Sequence, residues 1–119
     1  MIGMSVLFFL LTLLTRLKLV TTDEVLTEVL NFLSTYGQGM RKRALLLIRD
    51  ILDNPNIRVI SQTHDSFRQG LALYEGRLDK GYSLTDCISM QVMKQLKITE
   101  VLTHDKHFKQ EGFIVLFQD

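Results

Sequence analysis

Residues 82–113 read Tyr82-Ser83-Leu84-Thr85-Asp86-Cys87-Ile88-Ser89, a helical stretch, then Val101-Leu102-Thr103-His104-Asp105-Lys106-His107-Phe108 and Gly112-Phe113. Ser83 and Asp86 have the spacing of a helix-capping box, and Ile88, Val92, Met93 and Leu96 form an apolar stripe, so a helix is expected to end near Lys97. Glu100 to Thr103 reads as a strand, His104 to Gln110 as a short helical turn, and Phe113 to Phe117 as a final strand. Two carboxylates, Asp86 and Asp105, therefore fall 19 positions apart at two element ends. One lies in the opening turn of a helix and the other just past a strand, where open α/β sheets present their ligands.

Working outward, Lys18 to Thr21 is a short strand by its β-branched content. Thr21 and Glu24 have capping-box spacing for a helix over Thr22 to Ser34, whose broad apolar face is Val25, Leu26, Val29, Leu30, Phe32 and Leu33. Asp23 and Glu24 read as solvent-exposed first-turn acids that complement the helix dipole, whereas Glu28, at the margin of the apolar face, is too far in for that role. A second helix is expected over Met40 to Asp53 with Ala44, Leu45, Leu47, Ile48, Ile51 and Leu52 inward, stopped by Asn54-Pro55. Ile57 to Ile60 reads as a buried strand, Thr63 as the cap of a helix with Phe67, Leu71 and Tyr74 in one stripe, and Gly76 to Gly81 as a loop. Met1 to Thr15 is uncharged and mostly apolar, read as a buried helix or strand, with a membrane-associated or artefactual segment as the alternative. It falls short of the roughly 20 residues of a spanning helix and lacks the basic flank of a secretory signal, so membrane partnership is not expected. Strands alternating with helices predict an α/β fold, three-layer α/β/α with a mostly parallel sheet.

At 119 residues the chain is expected to form one domain, 1–119, with 1–17 as an atypical apolar segment. Apolar content of 46% and charged content of 23% exclude a disordered chain. A net charge of +1 gives no global attraction to nucleic acid, which leaves Arg41-Lys42-Arg43 as the one dense basic patch, a weak nucleic-acid-binding candidate that equally reads as a solvated helix face. The single cysteine, Cys87, excludes an intramolecular disulfide and fits the cytoplasm. No Gly-rich phosphate loop or nucleophile elbow is present, and Cys87, His104 and His107 lack zinc-finger spacing.

Glu28 follows one strand and Asp105 another, so in a parallel sheet both can converge at the carboxyl edge; Asp86 joins them if its helix begins beneath that edge. Clustered carboxylates repel one another unless a cation neutralises them, and hard oxygen ligands favour Mg²⁺ or Mn²⁺. Each acid also has a plain structural reading: Glu28 as an exposed carboxylate, Asp86 as a capping-box partner, Asp105 as an N-cap. Thr85 and Thr103, beside the acids, are candidates to orient a carboxylate or water, or simply to cap.

The 82–113 pattern resembles the C-terminal half of a PIN domain, the fold of VapC-type toxin ribonucleases, and Leu19 to Val29 resembles that family's second strand and following helix. The resemblance covers Lys18 to the C-terminus, 18–119. It implies that Glu28, Asp86 and Asp105 are catalytic metal ligands for Mg²⁺ or Mn²⁺, supported by Thr85 and Thr103. It further implies hydrolysis of RNA phosphodiester bonds, in transfer or messenger RNA, together with an antitoxin partner and a homodimer. The chain departs from the pattern at its start: the family's first strand ends in a further aspartate and leads into a helix, yet no acid precedes Asp23 and only 17 residues precede Lys18. The N-terminal part is therefore expected to be truncated or replaced, with Val6 to Leu14 filling the missing strand's slot or the sheet lacking its middle strand. An RNA-cleaving enzyme and a catalytically impaired remnant that binds protein or RNA are thus both carried forward.

Overall fold

The computed structural model describes residues 8–13 and 16–117. Its sheet contains β1 (Phe8–Leu13), β2 (Arg16–Thr22), β3 (Ile57–Ile60), β4 (Glu100–Leu102) and β5 (Ile114–Val115), in the order β3-β2-β1-β4-β5. The helices are α1 (Asp23–Leu33), α2 (Gln38–Asp53), α3 (His64–Gly76), α4 (Leu84–Leu96) and α5 (Lys106–Gln110), with a 3₁₀ turn, Ser34–Tyr36, between the first two.

β2 pairs with β3, and β4 with β5, in parallel, while β1 is antiparallel to both β2 and β4. The sheet is thus mostly parallel by strand direction, and its reversed member is the central one. Two positions separate β1 from β2; so short a link joins antiparallel strands, whereas a parallel pair needs a crossover of about a dozen residues or more. Phe8–Leu13, within the apolar run ahead of Lys18, therefore fills the middle of the sheet as a strand running backwards. The connections from β2 outward to β3, and from β4 outward to β5, leave the centre in opposite directions, and the right-handed rule for parallel crossovers would set their helices on opposite faces. Consecutive burial of Val20, Thr21 and Thr22 on β2 agrees with a sheet covered on both faces.

α1 begins one residue later than the Thr21–Glu24 spacing suggests, because Thr21 still pairs with Val59 in the sheet. Thr22 is the cap, its hydroxyl accepting from the Val25 N–H at 3.2 Å. On α2, Ala44, Ile48 and Ile51 are buried as expected, but Leu45, Leu47 and Leu52 are exposed. This helix packs along one narrow i, i+4, i+7 stripe, and its remaining leucines face away from the core. Ile57–Ile60, expected as a buried strand, is an edge strand with partly buried side chains, and the last strand is confined to Ile114–Val115.

α3 uses a different face from the one that its apolar stripe indicates. Leu71 and Tyr74 are exposed, and the helix buries Gly70 and Leu73. A Cβ at Gly70 would overlap the Ile88 side chain and lie 3.1 Å from both Ile88 Cα and Ile88 N, so the missing side chain is what lets α3 approach α4. Gly70→Ala is expected to destabilise the fold by about 1–3 kcal/mol through overpacking. Urea denaturation checks this, and an unchanged midpoint would refute the close contact.

Candidate metal centre

Three elements deliver side chains to the carboxyl edge shared by β2 and β4. α4 precedes β4 and so starts at that edge, placing Asp86 in its first turn; α5 follows β4 and starts there too, with Asp105 as its N-cap. α1, leaving β2, presents Glu24 and Glu28 in its first two turns.

Asp86 is 5% exposed. The capping box is fully formed, with the Asp86 N–H donating to Ser83 Oγ at 3.0 Å and the Ser83 N–H donating to Asp86 Oδ2 at 3.4 Å. Asp105 Oδ1 accepts from the His107 N–H at 2.9 Å, and Thr103 Oγ1, buried, accepts from the Asp105 N–H at 3.0 Å. The structural roles considered for both aspartates are therefore present, and they coexist with a second arrangement. Asp86, Asp105 and His107 each offer one ligand atom, all within 4.8 Å of one another. His107 Nδ1 lies 3.2 Å from Asp105 Oδ1 and 3.9 Å from Asp86 Oδ2. Nδ1 is itself buried and makes no hydrogen bond among the described residues. Burial, and then the Asp105 carboxylate, push the Asp86 carboxyl above the usual range, while the Ser83 hydrogen bonds and His107 pull it back. Two crowded carboxylates and an imidazole nitrogen with no hydrogen bond fit a divalent cation, which would satisfy all three.

Glu28 is not part of this tight group. Together with Glu24, Thr27, Asn31, Gln62 and Thr85 it lines a neighbouring cleft of about 330 Å³, and Thr85, next to Asp86 in the chain, links cleft and cluster. Glu24, expected to be an exposed dipole acid, is half-buried. One of its carboxylate oxygens, Oε2, is buried and has no hydrogen bond among the described residues. Burial and then Asp23 raise its carboxyl, against hydrogen bonds from its own backbone and Thr22. Gln62 is held at the rim by its N–H, which donates to Asp23 Oδ2 at 2.8 Å. The sequence did carry a signal for this cleft: Glu24, Thr27, Glu28 and Asn31 recur at i, i+3, i+4 and i+7, a polar stripe on one helix face.

Arg41, Lys42 and Arg43 are exposed in the opening turns of α2, where Arg41 Nη1 donates to Ser34 O at 3.4 Å. Ser34 caps the far end of α1, roughly 16 Å along that helix from the acidic edge at 1.5 Å per residue. Cys87 is fully buried beside Asp86, and burial first, then Asp86, push its thiol up to about 11. It is an inert core group and stands outside the metal-ligating set found among the described residues. His104 stacks on Phe117 instead, at 5.3 Å between ring centroids.

Asp86 and Asp105, two of the three acids that the resemblance implied, meet at this edge with His107, whereas Glu28 lies in the neighbouring cleft. A family model for the PIN domain matches residues 8–113. The chain belongs to the PIN domain family. The match starts inside the apolar segment, ten residues ahead of Lys18, so the reversed central strand lies within the PIN domain. Among solved structures the PIN fold here is similar to the crystal structure of Mycobacterium tuberculosis VapC20, described as a sarcin-ricin loop cleaving toxin. The TM-score is 0.70 with 25% sequence identity, over 80% of this chain and 71% of that one. No curated protein matches the chain significantly by sequence. Among the described residues no helix of this PIN domain is long and apolar enough to cross a membrane.

Proposed function

We propose that this PIN domain is a metal-dependent ribonuclease of VapC type, acting in the cytoplasm on RNA phosphodiester bonds. The observation that carries the reading is the convergence of Asp86, Asp105 and His107 within 4.8 Å at the carboxyl edge of the sheet. Asp86 and Asp105 would hold Mg²⁺ or Mn²⁺, an ion that polarises a phosphodiester oxygen and makes a water nucleophilic at neutral pH. Thr103 fixes the Asp105 backbone, and Ser83 fixes Asp86, so both carboxylates are held without reorganisation. Glu28 and Thr85, in the adjoining cleft, orient the attacking water and the RNA backbone. Arg41, Lys42 and Arg43 bind phosphates remote from the scissile bond. An antitoxin or a second copy of the chain would cover the exposed leucines of α2. The purified chain with Mn²⁺ is expected to cleave single-stranded RNA, and EDTA to stop it. Metal-independent cleavage, or none at any Mn²⁺ or Mg²⁺ concentration, would contradict the reading.

A second reading, a catalytically impaired PIN domain that binds RNA or protein, is favoured by one observation. The reversed β1 brings Phe8 beside Leu102 at the acidic edge, so the central strand places no acid there. It predicts normal folding, Mn²⁺ binding no tighter than about millimolar, and no turnover; calorimetric titration alongside the cleavage assay separates the two.

A further inference from the structure

The central strand contributes no acid to the site, and the group found beside the two aspartates is an imidazole. We propose that His107 is the third metal ligand, through Nδ1, and that it makes this centre select Mn²⁺ over Mg²⁺. The inference rests on the reading that Asp86 and Asp105 hold a divalent ion, and it concerns which ion they hold.

Geometry supports it first. Ligand atoms about 2.1 Å from an octahedral ion are about 3.0 Å apart when cis and about 4.2 Å apart when trans. His107 Nδ1 stands 3.2 Å from Asp105 Oδ1, near the cis spacing, and 3.9 Å from Asp86 Oδ2, between the two. All three ligand atoms lie within 4.8 Å of one another, so small side-chain adjustments would close the set around an ion. The ring is also preorganised: the His107 backbone N–H is fixed by Asp105 Oδ1 at 2.9 Å, and the ring packs against Tyr82, tilted by 57° with 5.4 Å between centroids. Tyr82 is tied in turn to Glu111, its hydroxyl donating to Oε1 at 3.0 Å. Nδ1, buried and without a hydrogen bond among the described residues, is thereby aimed at the two carboxylates. Chemistry then sets the selectivity. Mg²⁺ strongly prefers oxygen donors and dehydrates reluctantly, whereas Mn²⁺, higher in the affinity series for nitrogen donors than Mg²⁺, accepts an imidazole among carboxylates. For Nδ1 to ligate, the ring proton must reside on Nε2.

The test is calorimetric titration of the full chain with Mn²⁺ alone and Mg²⁺ alone, in wild type and His107→Gln, which removes the basic nitrogen and keeps a polar side chain. The wild type is expected to bind Mn²⁺ at least about tenfold more tightly than Mg²⁺; His107→Gln should lose about tenfold for Mn²⁺ and change little for Mg²⁺. A ratio unchanged by the substitution overturns the proposal while leaving the Asp86–Asp105 site intact. Binding of neither ion by the wild type overturns both. Electron spin echo measurements on the Mn²⁺-loaded wild type provide a readout that does not depend on the variant's folding. Nitrogen modulation from a directly bound imidazole is expected, and its absence overturns the assignment.

Discussion

Asp86→Asn is expected to abolish RNA cleavage while making the metal-free protein more stable. Loss of a residue that merely supports a metal ligand costs about 10–100-fold in affinity or activity, and removing a ligand should exceed that, so a fall of about two orders of magnitude or more is expected. The stability gain follows from the raised Asp86 carboxyl, whose causes are burial and the Asp105 charge. A carboxyl raised in the folded state binds more protons there than in the unfolded chain. Its favourable contribution is therefore present at low pH and is lost as pH rises through the folded-state value. At neutral pH the ionised group opposes folding, and asparagine, which can still accept from the Ser83 N–H, removes that opposition. Thermal denaturation in EDTA should show a higher Tm for the variant, together with lost cleavage under Mn²⁺. A variant that unfolds at a lower temperature would mean that Asp86 is chiefly a cap.

Glu111→Gln carries the second large effect, and it acts through position. Glu111 caps the end of α5 with a side chain 6% exposed. It accepts from Arg77 Nε and Nη2, each at 2.9 Å, from Tyr82 Oη at 3.0 Å and from Lys94 Nζ at 2.9 Å. One carboxylate thus ties α5 to the residue that caps α3, to the Tyr82 ring beneath His107 and to α4. The Arg77 guanidinium first, then Lys94 and Tyr82, outweigh burial and hold the Glu111 carboxyl at about 2. Because Arg77 and Lys94 are themselves 37% and 42% exposed, solvent screens these ion pairs and reduces what they contribute. Here the folded-state value is depressed, so the stabilisation is complete above the ordinary glutamate value of 4.5 and fades as pH falls towards about 2. Urea denaturation should show Glu111→Gln less stable than wild type at pH 7, with the gap closing in acid; a gap independent of pH would contradict the ion-pair account. Mn²⁺ affinity should fall in the same variant, since Asp105 and His107 sit on the helix that Glu111 anchors.

Much of the site was written locally. Ser83, with Asp86 as its capping-box partner, and Asp105 each declare a helix start through side-chain chemistry confined to a few residues, and both caps are where that chemistry places them. Direction and partnership were harder to read. The uniform run Val6 to Leu14 cannot indicate which way a strand points, and Leu14-Thr15, between β1 and β2, lacks the glycine or asparagine that signals a tight hairpin. On α3 the apolar stripe Phe67, Leu71, Tyr74 outshone the true contact because Gly70 contributes by having no side chain, which hydrophobic periodicity does not register. Glu24 looked like a dipole acid until Gln62 and Thr85, distant in sequence, closed a cleft around it. His107 lacked zinc-finger spacing with any partner; only the turn capped by Asp105 folds its ring back onto the two carboxylates.

The most direct test of the metal centre is a crystal of the full chain soaked in Mn²⁺ and examined by anomalous scattering at the manganese edge. One peak is expected, lying between the carboxylates of Asp86 and Asp105 and within bonding distance of His107 Nδ1. A map with no peak there, or with manganese bound only elsewhere on the surface, would contradict the account.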